Sequence, residues 1–189
     1  MNEHTKSEKF ASNFHGNKLP EELSALFEFE QEYGTESYSQ CFYLDSDGES
    51  AISSWSTDKD FLKMLMPFAV ANGSGSIYVF WDDGKGKSLK EMPVVVFGDE
   101  GGVHIVAKNI LELMQLLTFD HEISVYHDEA YFYKSEDDDE ESEYAQVYKD
   151  WLKETFNIDA IDKPDVIIKT AQDEFKASFG AWFAQYYNE

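Results

Sequence analysis

A chain of 189 residues with 42% hydrophobic and 16% aromatic residues holds enough apolar side chain for one packed domain and too much for a disordered one. Its 38 acidic residues outnumber 15 basic ones, all of them Lys, giving a net charge of −23. That field repels nucleic-acid backbones and anionic membranes, and without Arg there is no guanidinium fork for phosphates or guanine edges. The charge serves solubility or, more specifically, steers a basic protein partner towards the chain. Cys41 is the single cysteine, so no intramolecular disulfide forms. No run reaches the ~20 apolar residues of a membrane span. Residues 1–17 lack the apolar segment of a secretory signal, so the expected location is cytoplasmic.

Residues 1–17 are polar and aperiodic and read as a flexible arm. Leu19-Pro20-Glu21-Glu22 opens a helix, with Pro and acids in the first turn, where they suit the dipole. Leu23, Leu26, Phe27 and Glu30 carry its stripe, and Gly34 closes it. Tyr38–Leu44 has strand propensity, ends at Asp45-Ser46-Asp47-Gly48, and takes Ala51–Trp55 as its hairpin partner. Asp58–Lys63 is ambiguous. Leu65–Val70 is apolar, but Pro67 belongs at a strand edge or start. Asn72-Gly73-Ser74-Gly75 is a turn, and Ser76–Trp81 is a strand leading to the loop Asp82–Lys87.

The central stretch is Met92–Phe119. Pro93–Phe97 suits a strand buried on both faces. Gly98–Gly102 reverses the chain, Val103–Val106 is a second strand, and a helix over Ala107–Thr118 aligns Ile110, Leu113, Met114 and Leu117. Ile123–Val125 and Ala130–Tyr133 read as short edge strands or loop. The acidic run Glu136–Glu143 repels itself and stays solvated. A helix over Tyr144–Phe156 carries Tyr144, Val147, Tyr148, Trp151, Leu152, Thr155 and Phe156, capped by Asn157. After Asp162 and Pro164, a last helix aligns Ile167, Ala171, Phe175, Phe179, Trp182 and Tyr186. One helix, five or six strands and three further helices make an α+β domain with a helical C-terminal extension. The organisation is one unit over residues 1–189: arm 1–17, core 18–118, and a mainly helical extension 119–189.

No catalytic, metal or cofactor motif survives its chemistry. Aligning Gly48 with the glycine of a calcium loop puts Tyr43 and Ser54 at ligand positions that need acids, so Asp45–Gly48 is a turn. Gly86-Lys87-Ser88 lacks the first glycine of a phosphate loop, where Trp81 stands, and no helix follows. Gly98–Gly102 precedes a strand, which excludes a dinucleotide loop. His4, His15, His104, His121 and His127 show no ligand spacing. Cys41 reads as a small buried hydrophobe in an apolar strand. Acid pairs are expected by chance among 38 acids. Trp81 differs, since it ends a strand beside Asp82 and Asp83. An amphipathic ring beside acids has the composition of a protein-binding hot spot, with a core lid as the alternative. Asp99 and Glu100 also follow a strand, and the two loops are expected to share one sheet end. Trp81, Asp82, Asp83, Asp99 and Glu100 are therefore the candidate protein-binding residues.

Taken together, Leu19-Pro20 before an amphipathic helix, MPFAVANGSGSIYVFW, MPVVVFGDEGG and VAKNILELMQLL resemble the SUKH superfamily of Smi/Knr-type proteins. The resemblance covers about Leu19–Leu117 and is strongest from Leu65 onward, with Ala107-Lys108-Asn109 before a Leu-rich helix as its most specific piece. It implies an α+β fold with a mixed or antiparallel curved sheet packed by helices. It implies no catalytic residues, so no enzyme and no cofactor. For bacterial members it implies an immunity protein that binds and neutralises a cognate toxin, often a nuclease, of a polymorphic-toxin system. The alternative is a regulatory interaction scaffold of the fungal kind.

Overall fold

The structure, a computed structural model, describes residues 9–45, 49–134 and 140–187. The first half of the arm, the turn residues 46–48 and the acidic residues 136–139 lie outside them. The chain is α+β, as its element order predicts. Helix α1 spans Glu21–Tyr33, strand β1 Tyr43–Leu44, helices α2 and α3 Glu49–Ser53 and Lys59–Leu62. Strands β2 (Leu65–Val70), β3 (Ile77–Trp81), β4 (Val94–Phe97) and β5 (Val103–Ala107) follow, then helix α4 (Ile110–Leu117). The hairpin β6 (Ile123–Val125) and β7 (Ala130–Phe132) leads to α5 (Ala145–Phe156) and α6 (Pro164–Phe183). The main sheet runs β1-β2-β3-β4-β5 and every pairing in it is antiparallel, so it is not mixed.

The sheet is buried on both faces, which explains why its strands read as unbroken apolar runs instead of alternating ones. Met66, Phe68, Tyr78, Phe80, Val94, Val96 and Val106 face one side, with α1, α4 and α5 packed over them. Leu65, Ile77, Val79, Trp81, Val95, Phe97 and Ile105 face the other, under Ala171, Phe175 and Phe179 of α6 and Ile52 and Phe61 of α2 and α3. The period of two places each residue on its face. The C-terminal helices close the core on both sides.

Several expectations are corrected. Residues 9–17 are not a loose arm. Phe10 and Phe14 are buried, and Phe14 packs edge-on against Phe80. Two polar residues of the same segment cap the sheet edge that β1 is too short to cover. Asn13 Nδ2 donates to the Pro67 carbonyl at 3.4 Å, and a ring nitrogen of His15 lies 3.2 Å from the Leu65 carbonyl. A strand residue points its N and C=O to the same side, so the missing N–H of Pro67 falls on this open edge.

Ala51–Trp55 is no hairpin partner; α2 occupies it, and Ser53 and Ser54 hydroxyls donate to the Ser50 and Ala51 carbonyls. Of Tyr38–Leu44 only Tyr43–Leu44 is strand. Residues 37–41 form bends and turns, and Cys41 turns the chain with φ 58°, while Tyr38 and Phe42 stay buried. Cys41 is thus half-buried in a left-handed turn rather than buried in a strand, and burial with the nearby Glu122 carboxylate raises its thiol pKa. Ala107 belongs to β5, and α4 starts only at Ile110, where the Asn109 side chain accepts from Glu112 N at 3.0 Å. Val147 is exposed instead of joining the α5 stripe.

Glu30 of α1 is buried, accepting from Tyr38 Oη at 2.9 Å and Leu44 N at 3.0 Å. Burial pushes its carboxyl from 4.5 up to about 7, against the opposing pull of the Leu44 and Tyr38 hydrogen bonds. The folded chain therefore holds a proton that the unfolded chain releases at lower pH, so this group's stabilisation is complete below pH ~4.5 and lost as pH rises through ~7. The span corresponds to about 3 kcal/mol. Urea midpoints should show Glu30→Gln gaining up to about that much on the wild type between acid and slightly alkaline pH. Parallel pH curves for the two chains would contradict it.

Candidate functional site

The antiparallel register separates the five predicted residues. Ile77 pairs with Phe97 and Phe80 with Val94, so the loop after β3 and the loop after β4 lie at opposite ends of the sheet. Asp82 and Asp83 cannot join Asp99 and Glu100 in one patch. Trp81 is 2% exposed, edge-on to Phe179 and tilted against Trp182, so it is the core lid and not a surface hot spot. The Asp82 side chain accepts from Gly84 N at 2.9 Å within its own loop. The Asp83 side chain is 2% exposed and its Oδ2 stands 3.2 Å from both Lys85 Nζ and Lys87 Nζ. Burial alone would raise the Asp83 carboxyl, but the two lysines outweigh it and hold it below the carboxylate range. Its charge is neutralised locally.

The other end of the sheet collects three connections. Asn72 organises the first. Its Oδ1 accepts from Gly75 N and Ser76 N, and its Nδ2 donates to the Ile123 carbonyl at 3.0 Å. That last bond fixes the start of the β6–β7 hairpin, as does Gly73 N donating to Glu122 Oε2 at 2.9 Å. The second connection is Gly98–Gly102, where Asp99 Oδ1 accepts from Ser74 Oγ at 2.7 Å and Ser76 Oγ at 3.0 Å. Partial burial raises the Asp99 carboxyl, and these two hydroxyls more than offset it, so it titrates below the ordinary range. The hairpin tip is the third. Tyr126 N donates to the Glu129 carbonyl, and His104 of β5, also buried, reaches the Tyr126 carbonyl with Nε2 at 2.7 Å. A carbonyl only accepts, so Nε2 carries the proton. Burial lowers the His104 pKa, which keeps the ring neutral near pH 7.

The result is an acidic rim. Asp99, Glu100 and Glu122 are exposed there and pair with no lysine among the described residues, while Asp128 and Glu129 extend it along the hairpin tip. Tyr126 stands beside them, 57% exposed and stacked on Tyr131. An exposed tyrosine ringed by unpaired carboxylates is the composition sought at Trp81, located instead at the far end of the sheet. Of the predicted residues, Asp99 and Glu100 belong to this rim. Tyr126 and Glu122 were missed because their proximity depends on the Asn72–Ile123 and His104–Tyr126 bonds, which span 51 and 22 residues.

Among the described residues no group of three or more His, Cys, Asp or Glu side chains is placed to hold a metal ion. None of their helices is long and apolar enough to cross a membrane. No protein-family model matches the chain, and neither curated proteins nor solved structures yield a match to it.

Proposed function

We propose that this chain is a non-catalytic protein-binding module, a cytoplasmic immunity-type protein that docks its acidic rim on a basic toxin domain and blocks it. The observation that carries this reading is the rim: Asp99, Glu100 and Glu122, exposed and with no lysine partner among the described residues, at the same sheet end as the exposed ring of Tyr126. A net charge of −23 steers a basic partner from a distance, and the rim supplies an aromatic anchor with carboxylates to meet it. Nucleases fit as the toxin class, because their clefts are basic for phosphate. The resemblance of Leu19–Leu117 to the SUKH superfamily points the same way.

The test is capture of the partner from native lysate, followed by association kinetics at two salt concentrations. Asp99→Lys with Glu100→Lys should lower the association rate about tenfold at low salt and flatten its salt dependence. Asp150→Lys with Glu154→Lys makes the same formal charge change on exposed positions of α5 and should do much less. Equal effects from the two pairs would remove the rim from the interface. A partner bound without salt dependence would sink the electrostatic reading.

A further inference from the structure

Helix α6 carries a glycine that neither packing nor backbone conformation requires. A side chain on Gly180 would meet no atom within 4 Å, and its φ is not in the left-handed region. A helix-interior glycine is unfavourable relative to alanine, so an unforced one is a feature to explain. Gly180 lines a cavity of about 500 Å³ between α6, β5 and the hairpin tip, within the range of small-molecule sites. Its absent side chain leaves that cavity open.

The lining has two parts. Trp55, Phe179, Phe183 and Tyr187 form an aromatic wall. Beside it, His104, Gln172 and Lys176 present polar groups, Gln172 and Lys176 from the same face of α6 as Phe179 and Phe183. Gln172 Nε2 is committed to the Ile105 carbonyl at 3.2 Å, and His104 Nε2 to the Tyr126 carbonyl at 2.7 Å, so both side chains are held in place. Lys176 forms no ion pair among the described residues. The chain has 38 acids, yet no Asp or Glu among the described residues lines the cavity. A lining rich in aromatic rings beside a lysine, with no carboxylate among its described residues, selects an aromatic body bearing one negative charge.

We infer that this cavity is a binding site for a small aromatic carboxylate, its rings against Phe183 and its carboxylate paired with Lys176. The site adjoins the acidic rim at the hairpin tip, but its described lining includes none of the rim's carboxylates and it does not depend on the partner reading. The probe is 2-naphthoate, titrated calorimetrically into the full chain, with neutral 2-naphthamide for comparison. The acid should bind saturably at one site with a Kd below about 1 mM, and the amide about tenfold more weakly. Lys176→Met should bring the two ligands level. Gly180→Leu places a side chain in the cavity and should abolish binding while the melting temperature stays at or above that of the wild type. An acid that does not saturate by about 1 mM, an amide that binds as well as the acid, or undiminished binding to Gly180→Leu would each overturn the assignment.

Discussion

A chain ending at Lys163 is expected to lose cooperative unfolding entirely. It lacks α6, the helix that brings Ala171, Phe175 and Phe179 onto the second face of the sheet. Val79, Trp81, Val95, Phe97 and Ile105 would then keep only the cover of α2 and α3 and lose that of the long helix. At about 1.5–3 kcal/mol for each large side chain uncovered, the loss is on the order of 10 kcal/mol, as large as the stability of an ordinary domain. Trp81 would lose its contacts with Phe179 and Trp182, and β5, an edge strand, would lose Gln172 from its Ile105 carbonyl. The truncated chain should bind a hydrophobic dye and show no sharp thermal transition. A sharp melt within a few degrees of the full chain would show that the second face is stable without its cover. The result bears on function, because a helix that completes the core is unavailable for a partner to displace.

Local chemistry was legible in the sequence, and long-range chemistry was not. Pro93–Phe97 announces burial on both faces by having no polar alternation, and Val94–Phe97 is buried throughout, as is Ile77–Trp81 beside it. The α6 stripe at Ile167, Ala171, Phe175 and Phe179 is a spacing that any helix must present on one side. Asn157 was read as a cap and takes the left-handed conformation of one. The failures share a cause. Phe10 and Phe14 sit in a polar stretch, and only the sheet beneath them makes that stretch ordered. Ala51–Trp55 has no intrinsic bias strong enough to outweigh Ile52 finding the core from a helical turn. Trp81 beside Asp82 and Asp83 has the same local composition as Tyr126 beside Asp128 and Glu129, yet one ring is covered by α6 and the other stands 57% exposed. Sequence adjacency records composition; exposure depends on what folds over it.

Gly102→Ala is expected to cost about 3–4 kcal/mol, well above the usual effect of one added methyl group. Two penalties combine there. Gly102 has φ 86°, a conformation that costs an L side chain about 1 kcal/mol. An added Cβ would also lie 2.7 Å from the Tyr126 carbonyl carbon and closer still to its oxygen, where non-bonded carbons settle near ~3.5 Å. Neither atom can swing away as a side-chain tip would, because both belong to the backbone of the hairpin tip. That same carbonyl accepts from His104 Nε2, so relieving the clash must stretch the 2.7 Å bond that holds the hairpin to β5. Gly101→Ala separates the two penalties, since φ is 106° there and a Cβ meets nothing within 4 Å. It should lose only about 1 kcal/mol. Urea midpoints of the two variants measure the difference, and equal losses would mean that the contact with Tyr126 carries no energy. Binding to the proposed partner should divide in the same way: displacing the tip moves Tyr126 away from Asp99 and Glu100, so Gly102→Ala should weaken it, whereas Gly101→Ala should leave the rim assembled.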